Sequence, residues 1–151
     1  MASAGIVDSQ SAKGADTVGA SSRGYDAGKK INGRKRHIVT DTLGLLVVVL
    51  VTTVSLQDRD GGRRVLDRGR MAMPSIVVVW VDGGYAGKLL ASARYYLSIT
   101  VQIVNRTDKR PAFEVLPRRW VVERTLSWLM RTRCLARDYE LLPEHSEAFV
   151  Q

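Results

Sequence analysis

The run Ile76-Val77-Val78-Val79-Trp80-Val81 constrains the fold of this chain more than any other segment, because it is apolar at odd and even positions alike. A strand of that kind is covered on both faces, the situation of a central parallel strand between layers of helix. Its end is equally telling, since Asp82 closes the run and Gly83-Gly84 turns the chain. Within 85–96, Leu89, Leu90 and Ala93 recur at helical spacing, and Ile99, Val101 and Ile103 alternate as a strand over 99–104. A strand, helix, strand unit follows from that order.

Other segments arrange themselves around this unit. His37-Ile38-Val39-Thr40 predicts a strand, Asp41-Thr42-Leu43-Gly44 a turn, and Leu45 to Val54 a second strand pairing antiparallel with the first. Gly5-Ile6-Val7 predicts a short strand that ends at Asp8. Residues 9–28, rich in Ser, Gly, Ala and Asp without hydrophobic period, read as a loop or mobile segment. From Asp58 to Arg70 a short surface helix is expected, weakened by Gly61-Gly62 and stopped by Pro74. Pro111 and Pro117 mark 105–117 as a loop. Between Arg118 and about Arg133 a helix is expected with Val121, Val122, Thr125, Leu126, Trp128 and Leu129 on one broad face and Glu123, Ser127 and Arg131 on the other. A last helix starts near Pro143. The whole is α/β, a mixed β-sheet flanked by α-helices.

Three acids stand out on this frame. Asp8 and Asp82 each follow an apolar run, and Glu123 lies inside a helix. Any one of them alone reads as a cap or turn residue. Together, two strand-end aspartates and a helical glutamate are what a pair of hard divalent cations needs from a protein, which points to metal-dependent phosphoryl transfer. The formal charge of +8 agrees with a polyanionic partner, as does the pI near 10.1, although a merely soluble basic protein has the same composition. With 151 residues the chain suits one domain. The single Cys134 excludes an internal disulfide framework and a thiolate zinc cluster, leaves a reduced intracellular compartment as the simplest context, and reads as a buried small apolar residue. The first ten residues lack the pattern of a signal peptide, and the longest apolar run, Leu43 to Val54, is too short to span a bilayer.

Six segments, in order, carry a family resemblance: Asp8-Ser9-Gln10-Ser11, Gly24 to Lys30, Gly33 to His37, Asp41 to Leu45, Asp82 to Gly87, and Leu116 to Thr125. With these the chain resembles the DDE transposases of bacterial insertion sequences, most closely the insertion-sequence-five group of the insertion-sequence-four superfamily, over nearly its whole length. The resemblance implies a ribonuclease H-like fold and metal-dependent cleavage and strand transfer of DNA. It places the catalytic, metal-holding triad on Asp8, Asp82 and Glu123, with two Mg²⁺ or Mn²⁺ ions between them. Double-stranded DNA, as element ends and target, is the implied partner, with no membrane. A homodimer in the DNA complex, an upstream-frame N-terminal partner or fusion, and a cytoplasmic, nucleoid-associated location go with it. Set against the family, residues 1–151 form a single catalytic domain that lacks the usual N-terminal DNA-recognition region and the end of the C-terminal helix. Two other readings stay open: a truncated, non-catalytic DNA-binding remnant, and a simple metal-dependent nuclease that cuts without joining.

Arg119, one helical turn before Glu123, matches an arginine of the wider superfamily signature, in which a tyrosine, an arginine, a glutamate and a lysine recur at fixed spacing. Leu116 stands at the tyrosine position and Met130 at the lysine position, so the full signature is not kept. Phosphate binding is the expected role of Arg118, Arg119, Arg124 and Arg131, and DNA-backbone contact that of Lys29, Lys30, Arg34, Lys35 and Arg36. Trp80 and Trp128 read as core, while Trp120 reads as core or as a base-stacking ring. His37 reads as structural or phosphate-facing.

Overall fold

In the computed structural model, which describes residues 2–105 and 118–151, one sheet of six strands runs through the molecule. The elements in chain order are β1 (Ala4–Lys13), β2 (Gly24–Asp26), β3 (Ile31–Asp41), β4 (Leu46–Thr53), α1 (Asp58–Ala72), β5 (Val78–Val81), α2 (Lys88–Leu97), β6 (Thr100–Ile103), α3 (Trp120–Arg131) and α4 (Pro143–Val150). The sheet order is β2-β3-β1-β5-β6, and β4 also pairs with β3. β1 lies antiparallel to β3 and parallel to β5, which is parallel to β6. The sheet is therefore mixed, with its parallel part where the doubly apolar run placed it. The hairpin of β3 and β4 is antiparallel, as its turn sequence predicts.

Period-two alternation sorts the side chains onto two faces. Val7, Val39, Val48, Leu50, Val79 and Val81 look to one side, where α1 and α2 bring Val65, Leu66, Leu89 and Ala93. Ile6, Ile38, Val49, Val51 and Trp80 look to the other, where α3 and α4 bring Val121, Val122, Leu126 and Val150. Asp8 shares the parity of Ile6, and Asp82 that of Trp80. Both aspartates therefore belong to the face that α3 covers.

Several expectations need correction. β1 continues through residue 13, so Asp8 lies in mid-strand and not at a strand end, and β2 occupies part of the segment 9–28 that reads as a loop. The extension is held by an unbroken register against β3, from Gly5 opposite Asp41 to Lys13 opposite Gly33. Backbone pairing, without apolar alternation, carries it. The helix over 58–72 is a core element, with Gly61, Gly62, Val65, Leu66 and Gly69 buried. Its paired glycines let it sit close to the sheet: a Cβ on Gly61 would run into the His37 imidazole, and one on Gly62 would lie 2.6 Å from Cδ1 of the Tyr85 ring. Trp128 is 54 % exposed and Cys134 is exposed, so neither is core. The loop expected at 105–117 falls, from 106 on, outside the described residues, as does Leu116.

The outer margin of β4 is covered from both faces. Glu147 of α4 accepts the Val51 N–H at 2.9 Å, Arg68 of α1 donates to the Val49 carbonyl at 3.4 Å, and the two side chains form an ion pair at 2.7 Å.

Candidate active site

β1 and β5 run parallel with Ala4, Gly5 and Ile6 beside Val78, Val79 and Trp80. The same offset carried two residues further sets Asp8 beside Asp82, where β5 has ended and the chain turns away. That is the carboxyl end of the parallel strands, the edge at which α/β sheets commonly hold their ligands. Asp82 is fixed by its own turn, since its Oδ1 accepts the Gly84 N–H at 2.9 Å and so caps the short 3₁₀ turn Gly83–Tyr85. Asp8 is fixed by the Ser9 N–H, which donates to its Oδ1 at 2.8 Å. In both cases one carboxylate oxygen is occupied by backbone and the other is left for the cleft.

α3 brings the third acid. It lies across β1, with the Gln10 amide donating to the Leu126 carbonyl at 3.2 Å. It is also pinned to the β3–β4 turn, where Thr125 Oγ1 and Arg124 Nη2 donate to the Gly44 and Leu43 carbonyls, both at 2.7 Å. Gly44 has φ +91°, a conformation that suits glycine, and a Cβ there would crowd those two donors. Held this way, the first turn of α3 directs Glu123 and the preceding Arg119 at the two aspartates.

The acids meet on Arg119. Its Nη2 lies 3.4 Å from Asp8 Oδ2, 3.7 Å from Asp82 Oδ2 and 3.7 Å from Glu123 Oε1. No two of these oxygens can then be further apart than two such distances laid end to end. The side chains of Arg119 and Asp8 are mostly buried, whereas Glu123 is 45 % exposed. Burial pushes the Asp8 carboxyl up to about 6, with the Asp82 charge adding to the rise, against the opposing pull of the Ser9 N–H and the Arg119 guanidinium. Asp8 thus takes up a proton more readily than an ordinary carboxylate even with Arg119 beside it.

As a donor set the three carboxylates fit a hard divalent cation in kind, because such ions take oxygen ligands from Asp and Glu. In the arrangement seen, a guanidinium nitrogen fills the space among them. Among the described residues no three His, Cys, Asp or Glu side chains are close enough to one another to hold an ion as they stand.

A fourth acid, Asp58, joins the neighbourhood, and sequence reading passed over it. It is the first residue of α1; its Oδ1 accepts Ser9 Oγ at 3.0 Å and Lys35 Nζ at 2.9 Å. Burial alone would raise its pKa, but the Lys35 ammonium and the Ser9 hydroxyl hold it below the usual carboxylate range. Asp58, Lys35, Tyr25, Asp26, Arg59 and Gly84 line an open cleft of about 450 Å³ next to Asp82. The only sequence signal for Asp58 was its place as an acid at a helix start, which a dipole effect explains equally well.

The basic cluster on β3 is largely structural. Arg34 is fully buried and donates to the Glu140 and Leu141 carbonyls at 2.7 and 2.8 Å and to Ser22 Oγ at 2.5 Å, besides pairing with Asp138. Arg36, 1 % exposed, donates to the Leu135 carbonyl. Lys35 commits its ammonium to the Leu56 carbonyl and Asp58. The expected DNA contacts of Arg34 and Arg36 are corrected accordingly, since side chains turned inward cannot reach a phosphate, whereas Lys35 lies at the wall of the open cleft with its ammonium already engaged. His37 is buried against Thr52 Oγ1, which makes it structural. Lys29 and Lys30 are exposed at the turn into β3, and Arg131 is exposed on α3. Arg118 is exposed, with its guanidinium 4.8 Å from the centre of the Trp80 ring. Arg124 is stacked between Trp120 and Trp128, at 4.7 and 4.8 Å from their centres, and donates to Leu43, so little of it is open to DNA.

A mixed sheet of this order, with helices on both faces and acids gathered at the end of its parallel strands, is a ribonuclease H-like α/β domain. The family model of the transposase DDE domain matches residues 1–149, and the chain belongs to that family. No curated protein matches the chain. Transposases of this family generally use divalent metal ions. No helix among the described residues is long and apolar enough to cross a membrane.

Proposed function

We infer that the protein is a polynucleotidyl transferase of DNA transposition, one that hydrolyses a phosphodiester at an element end and joins the freed 3′-hydroxyl to a target strand. The observation that carries this reading is the gathering of Asp8, Asp82 and Glu123, from three separate elements, around one cationic nitrogen. Asp8, Asp82 and Glu123 would hold two Mg²⁺ or Mn²⁺ ions. Bound there, such ions supply Lewis acidity toward the attacking and leaving oxygens. The chain's own contribution is placement. Backbone donors at Ser9 and Gly84 orient the two aspartates, while α3 brings the more exposed Glu123 beside them. Lys29, Lys30, Arg118 and Arg131 are the exposed cations suited to the DNA backbone, as phosphate contacts that fix register without reading sequence. The six segments that carry the family resemblance support membership of the insertion-sequence-five group.

A strand-transfer assay with labelled element ends in Mg²⁺ or Mn²⁺ tests the reading. Joined products that disappear in Asp82→Asn are the expected result. Nicking without joining would make the protein a simple nuclease, and binding without chemistry a DNA-binding remnant.

A further inference from the structure

We propose that Arg119 is a resident counter-cation of the acid cluster: its guanidinium occupies the metal position in the metal-free protein and competes with divalent ions for Asp8, Asp82 and Glu123. The inference rests on the reading of those acids as metal ligands.

Two arginines of this protein can be compared, and they are held differently. Arg34 is a permanent structural cation, with contacts of 2.5 to 2.8 Å to three oxygens besides its pairing with Asp138. Arg119 touches three carboxylates through one nitrogen, at 3.4 to 3.7 Å, beyond the separation of strong charge-assisted hydrogen bonds. Long contacts shared among three acids describe a group that neutralises the site without being fitted to it. A guanidinium stays charged at any relevant pH, so it cannot vacate the cluster by losing a proton. It has to move, and once out it carries a planar fork of donors suited to a phosphate at the mouth of the same cleft.

The arrangement has a purpose in charge terms. Three carboxylates held this close repel one another, and a cation among them offsets that repulsion while Gln10, Arg124 and Thr125 hold α3 in place. With Arg119 in place the site is assembled before metal arrives. The consequence is that metal loading in the absence of DNA is weak, and that arginine departure and ion entry are one exchange.

Titration of Mn²⁺ into the full chain, with free ion followed by electron paramagnetic resonance, tests this without any turnover. Arg119→Gln should bind Mn²⁺ at least about tenfold more tightly than wild type, because removing a unit charge from within hydrogen-bonding range removes a repulsion of that order or more. Adding Asp82→Asn to Arg119→Gln should abolish the gain. Arg119→Met repeats the comparison with a side chain of similar volume should the glutamine variant fold poorly, with thermal unfolding as the check. Equal or weaker binding in both arginine variants, with the weak wild-type binding still lost in Asp82→Asn, overturns the competition and leaves the acids as ligands. Binding that ignores Asp82→Asn in every background removes the acids as ligands, and the proposal with them.

Discussion

His37 and Asp8 lie on neighbouring strands and depart from their ordinary protonation in opposite senses. Burial holds the His37 imidazole down to about 4, with the Lys35 and Arg64 charges adding to the fall and the Asp58 charge opposing it. Burial lifts Asp8 to about 6. Below its ordinary value near 6.5, His37 binds a proton in the unfolded chain but not in the folded one, so its contribution to stability is lost as pH falls toward 4. Asp8 does the reverse, because between 3.8 and 6 the folded protein holds the proton more tightly than the unfolded chain and stability is lost as pH rises. Each effect is on the order of 3 kcal/mol when complete. In wild type the two largely offset between about pH 4 and pH 6. Urea unfolding at a series of pH values should therefore show His37→Gln losing stability as pH rises through that interval. Asp8→Asn should show stability rising through it. A flat curve for His37→Gln would mean that Asp8 titrates normally, and a flat curve for Asp8→Asn that His37 does.

Helix α1 shows at the element scale what sequence could and could not convey. Its two glycines read as weak helix formers, which they are by about 1 kcal/mol each relative to alanine. In the folded protein they are contact points, with His37 beneath Gly61 and the Tyr85 ring beneath Gly62. Gly61→Ala should lower stability by about 2 kcal/mol or more in chemical denaturation, since overpacking against the imidazole outweighs the gain in helix propensity. A more stable variant would show that helix and sheet are not held that close. The doubly apolar run of β5 was legible because burial on both faces leaves a compositional mark, and the hairpin of β3 and β4 because a turn sequence separates two apolar runs. The second half of β1 was not legible: Ser9, Gln10 and Ser11 carry no apolar period, and their ladder with β3 is a matter of backbone alone. Of the candidate site, Asp8 and Asp82 could be picked out as acids that follow apolar runs and Glu123 as an acid within an expected helix. Lysines and arginines gave no such separation, because inward Arg34 and outward Lys29 have the same local sequence character. Only tertiary partners distinguish them. Trp128 misled for a related reason, as an aromatic on a helix pattern reads as core, whereas here it flanks the Arg124 guanidinium at the surface.

At the scale of the molecule, a buried polar centre at Asp138 joins the apolar contacts of Leu135 and Val150 in attaching residues 132–151 to the sheet. Asp138 is 2 % exposed and receives Arg34 Nη1 at 3.4 Å, Ser146 Oγ at 2.8 Å and the Glu140 N–H at 3.0 Å. Asp138→Ala would leave the Arg34 guanidinium buried without its counter-charge, which costs about 3 to 5 kcal/mol. The expected signature is loss of hydrogen-exchange protection in α4 and along β4, ahead of the strands around β5. Uniform loss throughout would mean that the C-terminal segment and the sheet unfold as one unit. Asp138 thereby governs a feature remote from any chemistry. A sheet margin with open N–H and C=O groups is a template to which a strand of another molecule can add. Over β4, Arg68 and Glu147 answer one carbonyl and one N–H with side chains in place of a further strand. That pair thus guards the β4 margin against the addition of a further strand. Concentrated salt screens such partly exposed charges, so high ionic strength would open the β4 margin to strand addition from a second molecule before the fold itself is lost.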